Sequence, residues 1–223
     1  MIDWMEHYGN QCWMSVFYNN HDNPRMVSKI NTSKEHEGPL AALLAVMQFT
    51  LKGTPFIFQG DEMGLVNYRF TSMDQITDVE AKGFYQELLK EKSEEEAFKI
   101  ICAGTREHAR ILLPWNELPA DYRIKKNQKI KTEITNIYKQ LIQLRQSDLT
   151  LVYGDYKTVN KKKDRFVYMR AWKDTEYLID CNLSEKAQKA HPVTDEYELV
   201  YPARIPDKST LLPYAARIWR RKL

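Results

Sequence analysis

The 223 residues, 43% hydrophobic and 12% aromatic, suffice for one large domain or two modest ones. Thirty-three basic against 30 acidic side chains leave a formal charge of +3, too little for a dedicated nucleic-acid binder, which gathers basic charge on one face. No basic segment followed by an apolar one opens the chain, and no stretch is apolar enough to span a bilayer, so neither a secretory leader nor a membrane anchor is expected.

Residues 1–5 read as the interior of a helix, and residues 3–12 as its end, closed near Gly9-Asn10. Residues 13–18 read as a buried strand. It runs into Asn19-Asn20-His21-Asp22-Asn23-Pro24-Arg25, where Pro24 blocks regular continuation. A strand that stops and presents His and Asp at its carboxyl end is where an α/β barrel places its chemistry. A polar loop follows to Asn31. Thr32-Ser33-Lys34-Glu35 has capping-box spacing, and Gly38-Pro39 can also open a helix. Leu40, Leu43, Leu44, Met47 and Leu51 then recur at helical spacing, and Gly53 stands where a helix ends.

Residues 54–59 form an apolar run without alternation, the pattern of a strand buried on both faces. It stops at Gly60-Asp61-Glu62-Met63-Gly64. Strand, helix and strand at this spacing make a parallel β/α unit. Residues 65–131 are less regular, with short helices expected near 79–92 and 94–103 and a loop holding Pro114 and Pro119. Glu94-Glu95-Glu96 reads as a solvated helix face. Residues 132–146 form an amphipathic helix with Ile134, Ile137, Tyr138, Leu141, Ile142 and Leu144 on one side.

After Asp148 the texture changes to short β-prone runs separated by turn residues, which indicates an antiparallel β domain. The basic runs Lys161-Lys162-Lys163 and Arg220-Arg221-Lys222 read as a solvated turn and a solvated terminus. Cys12, Cys102 and Cys181 lack metal-ligand spacing and read as reduced thiols of a cytoplasmic protein.

These motifs together resemble the carboxyl-terminal part of α-glucosidases of the α-amylase superfamily, in the branch of oligo-1,6-glucosidase, dextran glucosidase and trehalose-6-phosphate hydrolase. Asn20 to Arg25 resembles the segment after the seventh barrel strand, and Lys52 to Gly64 the eighth strand and its loop. Arg106-Glu107-His108-Ala109-Arg110, followed by Pro114-Trp115-Asn116, resembles a later loop. Tyr153-Gly154-Asp155-Tyr156 and Leu212-Pro213-Tyr214-Ala215-Ala216 resemble the start and end of the terminal β-sandwich.

The resemblance implies an α/β plus β chain: the last two β/α units of a (β/α)8 TIM barrel followed by a C-terminal antiparallel β-sandwich. Residues 1–147 are the barrel portion, with an inserted region at about 65–131, and residues 148–223 are the sandwich. It implies a retaining glycosidase that cleaves short α-linked gluco-oligosaccharides or a related disaccharide, phosphorylated or not. Such enzymes use two carboxyl groups on opposite sides of the scissile bond, one attacking and one protonating. The segments carrying both are expected to be absent from this chain, which is therefore expected to be inactive alone. A second chain supplying the missing strands is one expected partner.

The third acid of the family aligns with Asp22, a transition-state stabiliser. His21 and Arg110 align with substrate-binding residues, and Glu80 with an acid beside the leaving-group sugar. The same residues also have plainer readings: an Asx-type turn at His21-Asp22, an ion pair of Arg110 with Glu107, and a helix-start acid at Glu80. Asp61 and Glu62 fit loop hydrogen bonding, and Arg25 fits a loop anchor. No metal ligand, cofactor, nucleic acid or membrane is implied. The alternative is a non-catalytic binding or assembly module, or a gene remnant, of the same superfamily.

Overall fold

The computed structural model describes residues 2–31, 33, 35–113 and 128–223. In chain order the elements are α1 (Ile2–Tyr8), β1 (Ser15–Val16), α2 (Met26–Ile30), α3 (Glu37–Thr50), β2 (Thr54–Pro55), α4 (Val79–Leu88), α5 (Glu94–Gly104), α6 (Gln128–Ser147), α7 (Thr150–Tyr153), β3 (Asp155–Lys162), β4 (Arg165–Trp172), β5 (Thr175–Asn182), β6 (Gln188–Lys189), β7 (Glu198–Tyr201), β8 (Thr210–Leu211) and β9 (Ala216–Lys222). Two units interleave along the sequence. The first holds Met1–Phe17, Gly38–Phe56 and Glu133–Leu223, the second Tyr18–Glu37 and Ile57–Thr132.

In the first unit β1 and β2 pair in parallel, Ser15 with Thr54 and Val16 with Pro55, joined by the α3 crossover. The β/α unit expected from the spacing is therefore present, but its strands are two residues long rather than six. Phe56 is 53% exposed, and Trp13 and Phe17 also face solvent, contrary to the expectation of burial on both faces. Among the described residues no other strand pairs with either edge, and these side chains are only half covered, Trp13 by the Tyr153 ring at 6.0 Å.

Gln48 of α3, fully buried, donates from Nε2 to the carbonyls of Val16 and Phe56, which ties the helix to both strands. Gly53 takes φ +130°, and a Cβ there would lie 2.2 Å from the Met14 carbonyl oxygen, so glycine is required where the chain turns back into β2. The α3 carbonyls left open at the helix end are taken by arginines. Arg145 Nη1 donates to Phe49 O at 2.7 Å and Arg170 Nη1 to Thr50 O at 2.6 Å. Burial pushes these guanidinium groups down to about 10 and about 9, still charged at neutral pH.

α6 begins at Gln128, earlier than the periodicity indicated, and buries Ile134, Tyr138 and Leu141 on one face. Tyr138 meets the Phe49 ring of α3 edge-on at 5.6 Å. The antiparallel sheet has the order β3-β4-β5-β9-β7, with β6 and β8 forming a separate two-stranded ribbon. Phe166, Tyr168 and Arg170 alternate with Val167 and Met169 along β4, so one set faces α3 and α7, as Thr50 and Tyr168 hydroxyls at 2.5 Å show. The other set packs with Leu178, Trp219, Val193, Leu199 and Ile205. Both faces being covered, the central strand β5 is buried at all eight positions.

Both basic runs depart from expectation. Lys161 and Lys162 lie in β3, and Lys161 binds Asp3 and Glu6 of α1. Arg220 to Lys222 complete β9, where Arg221 Nε donates to Glu176 at 2.8 Å and Lys222 pairs with Asp174 at 3.2 Å. Cross-strand acids opposite Arg220 (Glu198) and Arg221 (Glu176) turn an apparent charged tail into a ladder.

In the second unit α4 and α5 match the two expected helices, α4 ending at Leu88. The start of α5 is a full capping box of Ser93 with Glu96, so Glu96 closes the helix end rather than merely facing water. Phe70, Ile76, Ala81 and Ile101 form the core between these helices. The stretch expected to be loop before Asn31 contains α2. Thr32 and Lys34 of the expected capping box, and Pro114, Trp115, Asn116 and Pro119, lie outside the described residues. No helix among the described residues is long and apolar enough to cross a membrane.

Candidate active site

The candidate residues gather in the second unit, on the loop that follows Tyr18. Asn19, buried, clamps this loop: its Oδ1 accepts from the Met26 N–H at 2.7 Å and its Nδ2 donates to Asp61 Oδ1 at 2.8 Å. Asn20 Oδ1 accepts from the Asp22 N–H and from Asn23 Nδ2, both at 2.9 Å, so an Asx turn does shape the tip. Arg25 is fully buried and donates to Gln59 O at 2.8 Å, with Asp61 Oδ1 at 3.4 Å and the Phe58 ring beneath it. Arg25 and Asp61 thus hold the loop base. Burial pushes the Asp61 carboxyl up to about 6 against the opposing pull of Arg25 and Asn19. Glu62 likewise serves the loop, accepting from the Gly60 N–H.

With both ends fixed, the tip presents His21 and Asp22 outward, their side chains 71% and 50% exposed and 3.2 Å apart from Nε2 to Oδ2. Arg110 reaches both: its Nη2 donates to Asp22 Oδ1 and its Nε to the His21 carbonyl, each at 2.9 Å. The pairing is with Asp22 and not with Glu107, whose carboxylate is buried and accepts from Thr77 Oγ1 at 2.8 Å and the Asp78 N–H at 3.0 Å. Glu107 thereby ties the 3-10 turn Arg106–Ala109 to the start of α4, and Thr105 caps that turn through its hydroxyl.

Arg106 projects from the same turn and meets three carboxylates. It binds Asp78 through two bonds, Nε to Oδ2 at 3.0 Å and Nη2 to Oδ1 at 2.8 Å. Glu80 Oε2 lies 3.1 Å from its Nη2, and Asp22 Oδ1 lies 3.7 Å from its Nη1. The guanidinium beside Asp78 holds that carboxyl below the usual 3.8. All four expected residues, His21, Asp22, Glu80 and Arg110, are therefore linked directly or through Arg106. Reading the sequence passed over Arg106 and Asp78. The available signal was the Arg106–Arg110 spacing on one turn together with two acids opening α4.

A cleft of about 400 Å³ adjoins the cluster, lined by Asp22, Asp78, Glu80 and Arg106 together with Phe84 and Ile100. Carboxylates that accept from hydroxyls, guanidinium donors and an exposed aromatic face are the groups that hold a sugar ring. His108 lies apart from this chemistry. It is buried against Phe70, its Nε2 is 2.8 Å from Cys102 O, and burial lowers its imidazole below 6.5. Among the described residues no three His, Cys, Asp or Glu side chains converge as metal ligands.

The family description "Alpha amylase, catalytic domain" matches residues 1–154. The chain is 31% identical over 200 positions to an oligo-1,6-glucosidase of Bacillus cereus, covering 81% of this chain and 35% of that protein. It is 27% identical to a trehalose-6-phosphate hydrolase of Escherichia coli, covering 98% of this chain and 44% of that one. The crystal structure of Bacillus licheniformis trehalose-6-phosphate hydrolase superposes with a TM-score of 0.86 at 23% identity, over 100% of this chain and 46% of that one. The chain thus spans less than half the length of these relatives. It belongs to the α-amylase family of glycoside hydrolases.

Proposed function

We propose that the chain is part of a retaining α-glucosidase that cleaves short α-linked gluco-oligosaccharides or a related disaccharide. Asp22 stabilises the transition state, and His21, Arg110 and Glu80 bind the sugar. The observation that carries this reading is the Arg110 fork, which fixes the Asp22 carboxylate and the His21 backbone at 2.9 Å each. An oxocarbenium-like transition state places positive charge at the anomeric centre, and a fixed carboxylate nearby favours it without reorganising. The names of the relatives, oligo-1,6-glucosidase and trehalose-6-phosphate hydrolase, support the substrate class.

In this reading residues 1–147 are the C-terminal portion of a (β/α)8 barrel with 65–131 inserted, and residues 148–223 are a β-sandwich built on the five-stranded sheet. The attacking and protonating carboxyls, about 5–5.5 Å apart in retaining enzymes, come from barrel strands other than β1 and β2. The rest of the barrel, or a partner chain, supplies them, and the 223 residues alone do not turn over. The free thiols of Cys12, Cys102 and Cys181 favour a cytoplasmic setting.

Hydrolysis of a chromogenic α-glucoside by the barrel-complete protein tests this, with the first-formed anomer read by NMR. Expected are α-glucose as first product and a fall of about 10²–10³ in kcat for Asp22→Asn, the scale of losing one transition-state contact. Undiminished turnover in Asp22→Asn would remove Asp22 from the reaction. Saccharide binding without any turnover would favour a non-catalytic binding module.

A further inference from the structure

The geometry points to a leaving-group pocket that takes an uncharged sugar or apolar aglycone and rejects a phosphorylated one. This rests on the α-glucosidase reading and narrows its substrate class. The cleft is lined by three carboxylates, Asp22, Asp78 and Glu80, against one guanidinium group, Arg106, while Arg110 binds Asp22 without lining the cleft. Nε and Nη2 of both arginines are already engaged. Arg106 spends Nε and Nη2 on Asp78, with Glu80 also at 3.1 Å from Nη2. Arg110 spends Nε on the His21 carbonyl and Nη2 on Asp22.

A phosphate monoester brings about 1.5 to 2 negative charges and three strong acceptors. Here its partner would be an Arg106 already shared by Asp78 and Glu80, and it would lie beside three carboxylates with one guanidinium to offset them. A hydroxyl meets no such conflict. Asp22 and Glu80, 50% and 76% exposed, offer free lone pairs to hydroxyl donors. The same cleft also exposes apolar groups, Phe84 at 53% and Ile100 at 37%. An exposed aromatic ring beside carboxylates suits the C–H face of a neutral pyranose or an aryl group, and offers nothing to a phosphate.

The test compares trehalose with trehalose 6-phosphate, and maltose with maltose phosphorylated at O6 of its reducing glucose, on the barrel-complete protein. Glucose release is followed alongside calorimetric titration of each sugar. We expect the neutral member of each pair to have a kcat/KM at least about tenfold higher and to bind correspondingly tighter. Glu80→Gln, which removes one exposed charge, narrows the discrimination at least about threefold. Better cleavage or tighter binding of the phosphorylated sugars overturns the inference while the α-glucosidase reading stands. Neutral sugars bound but not cleaved leave the pocket assignment intact and overturn the hydrolytic reading. Failure of every sugar to bind overturns the pocket assignment itself.

Discussion

Arg110 is placed so that one planar group performs two tasks. Nε holds the backbone of the loop tip and Nη2 orients the Asp22 carboxylate. Lysine keeps the charge but cannot place two donors in that fork. We expect Arg110→Lys to lower kcat/KM of the barrel-complete protein about 10–100-fold and Arg110→Ala about 10²–10³-fold, read by steady-state kinetics. Equal activity of Arg110→Lys and wild type would mean that only the charge matters. Arg106 and Asp78 carry a second prediction. The Asp78 carboxyl titrates below its usual 3.8 because Arg106 binds it. A depressed folded value contributes stability that is present above 3.8 and is lost as pH falls through the lower folded value. Asp78→Asn should therefore flatten the acid limb of a melting-temperature profile between neutral pH and pH 2, and cost about 1–2 kcal/mol at neutral pH. An unchanged acid limb would mean that other carboxylates set it.

At the scale of elements, the end of α3 is closed by side chains from far along the chain. Arg145 donates to the carbonyls of Phe49, Leu51, Gly53 and Leu151, and Arg170 to those of Thr50, Leu151 and Gly154. Replacing either by methionine keeps an apolar stem and leaves buried acceptors open. Each orphaned carbonyl costs about 1–3 kcal/mol, so we expect a loss of about 2–4 kcal/mol in urea unfolding for Arg145→Met or Arg170→Met. A change under about 0.5 kcal/mol would mean that water replaces the guanidinium groups.

Such long-range pairings also mark the limit of what the chain reveals in one dimension. α3 and its Gly53 stop were legible from the spacing of Leu40, Leu43, Leu44 and Met47, because helical burial repeats every three to four residues. β4, β5 and β9 were legible because turn residues bracket β-prone runs. Arg145 was not, since a charged residue on an amphipathic helix reads as solvent-facing until its carbonyl partners are known. The Arg106–Asp78 pair was hidden for the same reason, its partners being 28 residues apart with no periodicity to link them. The short β6 and β8, two residues each, carry too little pattern to register. His21, Asp22 and Arg110 were found through motif resemblance, and their convergence required the fold.

For the whole molecule, the parallel pair β1–β2 sets the behaviour of the chain in solution. Parallel sheets are found with both faces covered, whereas here Trp13, Phe17 and Phe56 of the first unit are 52%, 42% and 53% exposed. Among the described residues neither strand has a second ladder partner, so backbone groups on two edges remain open beside these rings. Open edges next to apolar side chains recruit other chains. By contrast, the five-stranded sheet buries β5 completely and carries acids opposite its terminal bases, so it needs no cover. We therefore expect the 223-residue chain alone to bind an apolar dye at neutral pH and to self-associate at micromolar concentration in sedimentation velocity. Phe17→Thr with Phe56→Thr should reduce dye binding and self-association together while leaving the far-ultraviolet signal of the sheet intact. A polypeptide supplying neighbouring strands should suppress both in the unmodified chain. A monomer with no dye signal would mean that the β1–β2 pair is covered from within the chain, and the need for further strands would fall with it. Dye binding that survives the double substitution would leave Trp13, which the variant keeps, or Val79 and Phe84 of α4, which are 82% and 53% exposed, as the source. Adding Trp13→Thr to the double substitution separates the β1–β2 surface from α4 as the source of apolar exposure.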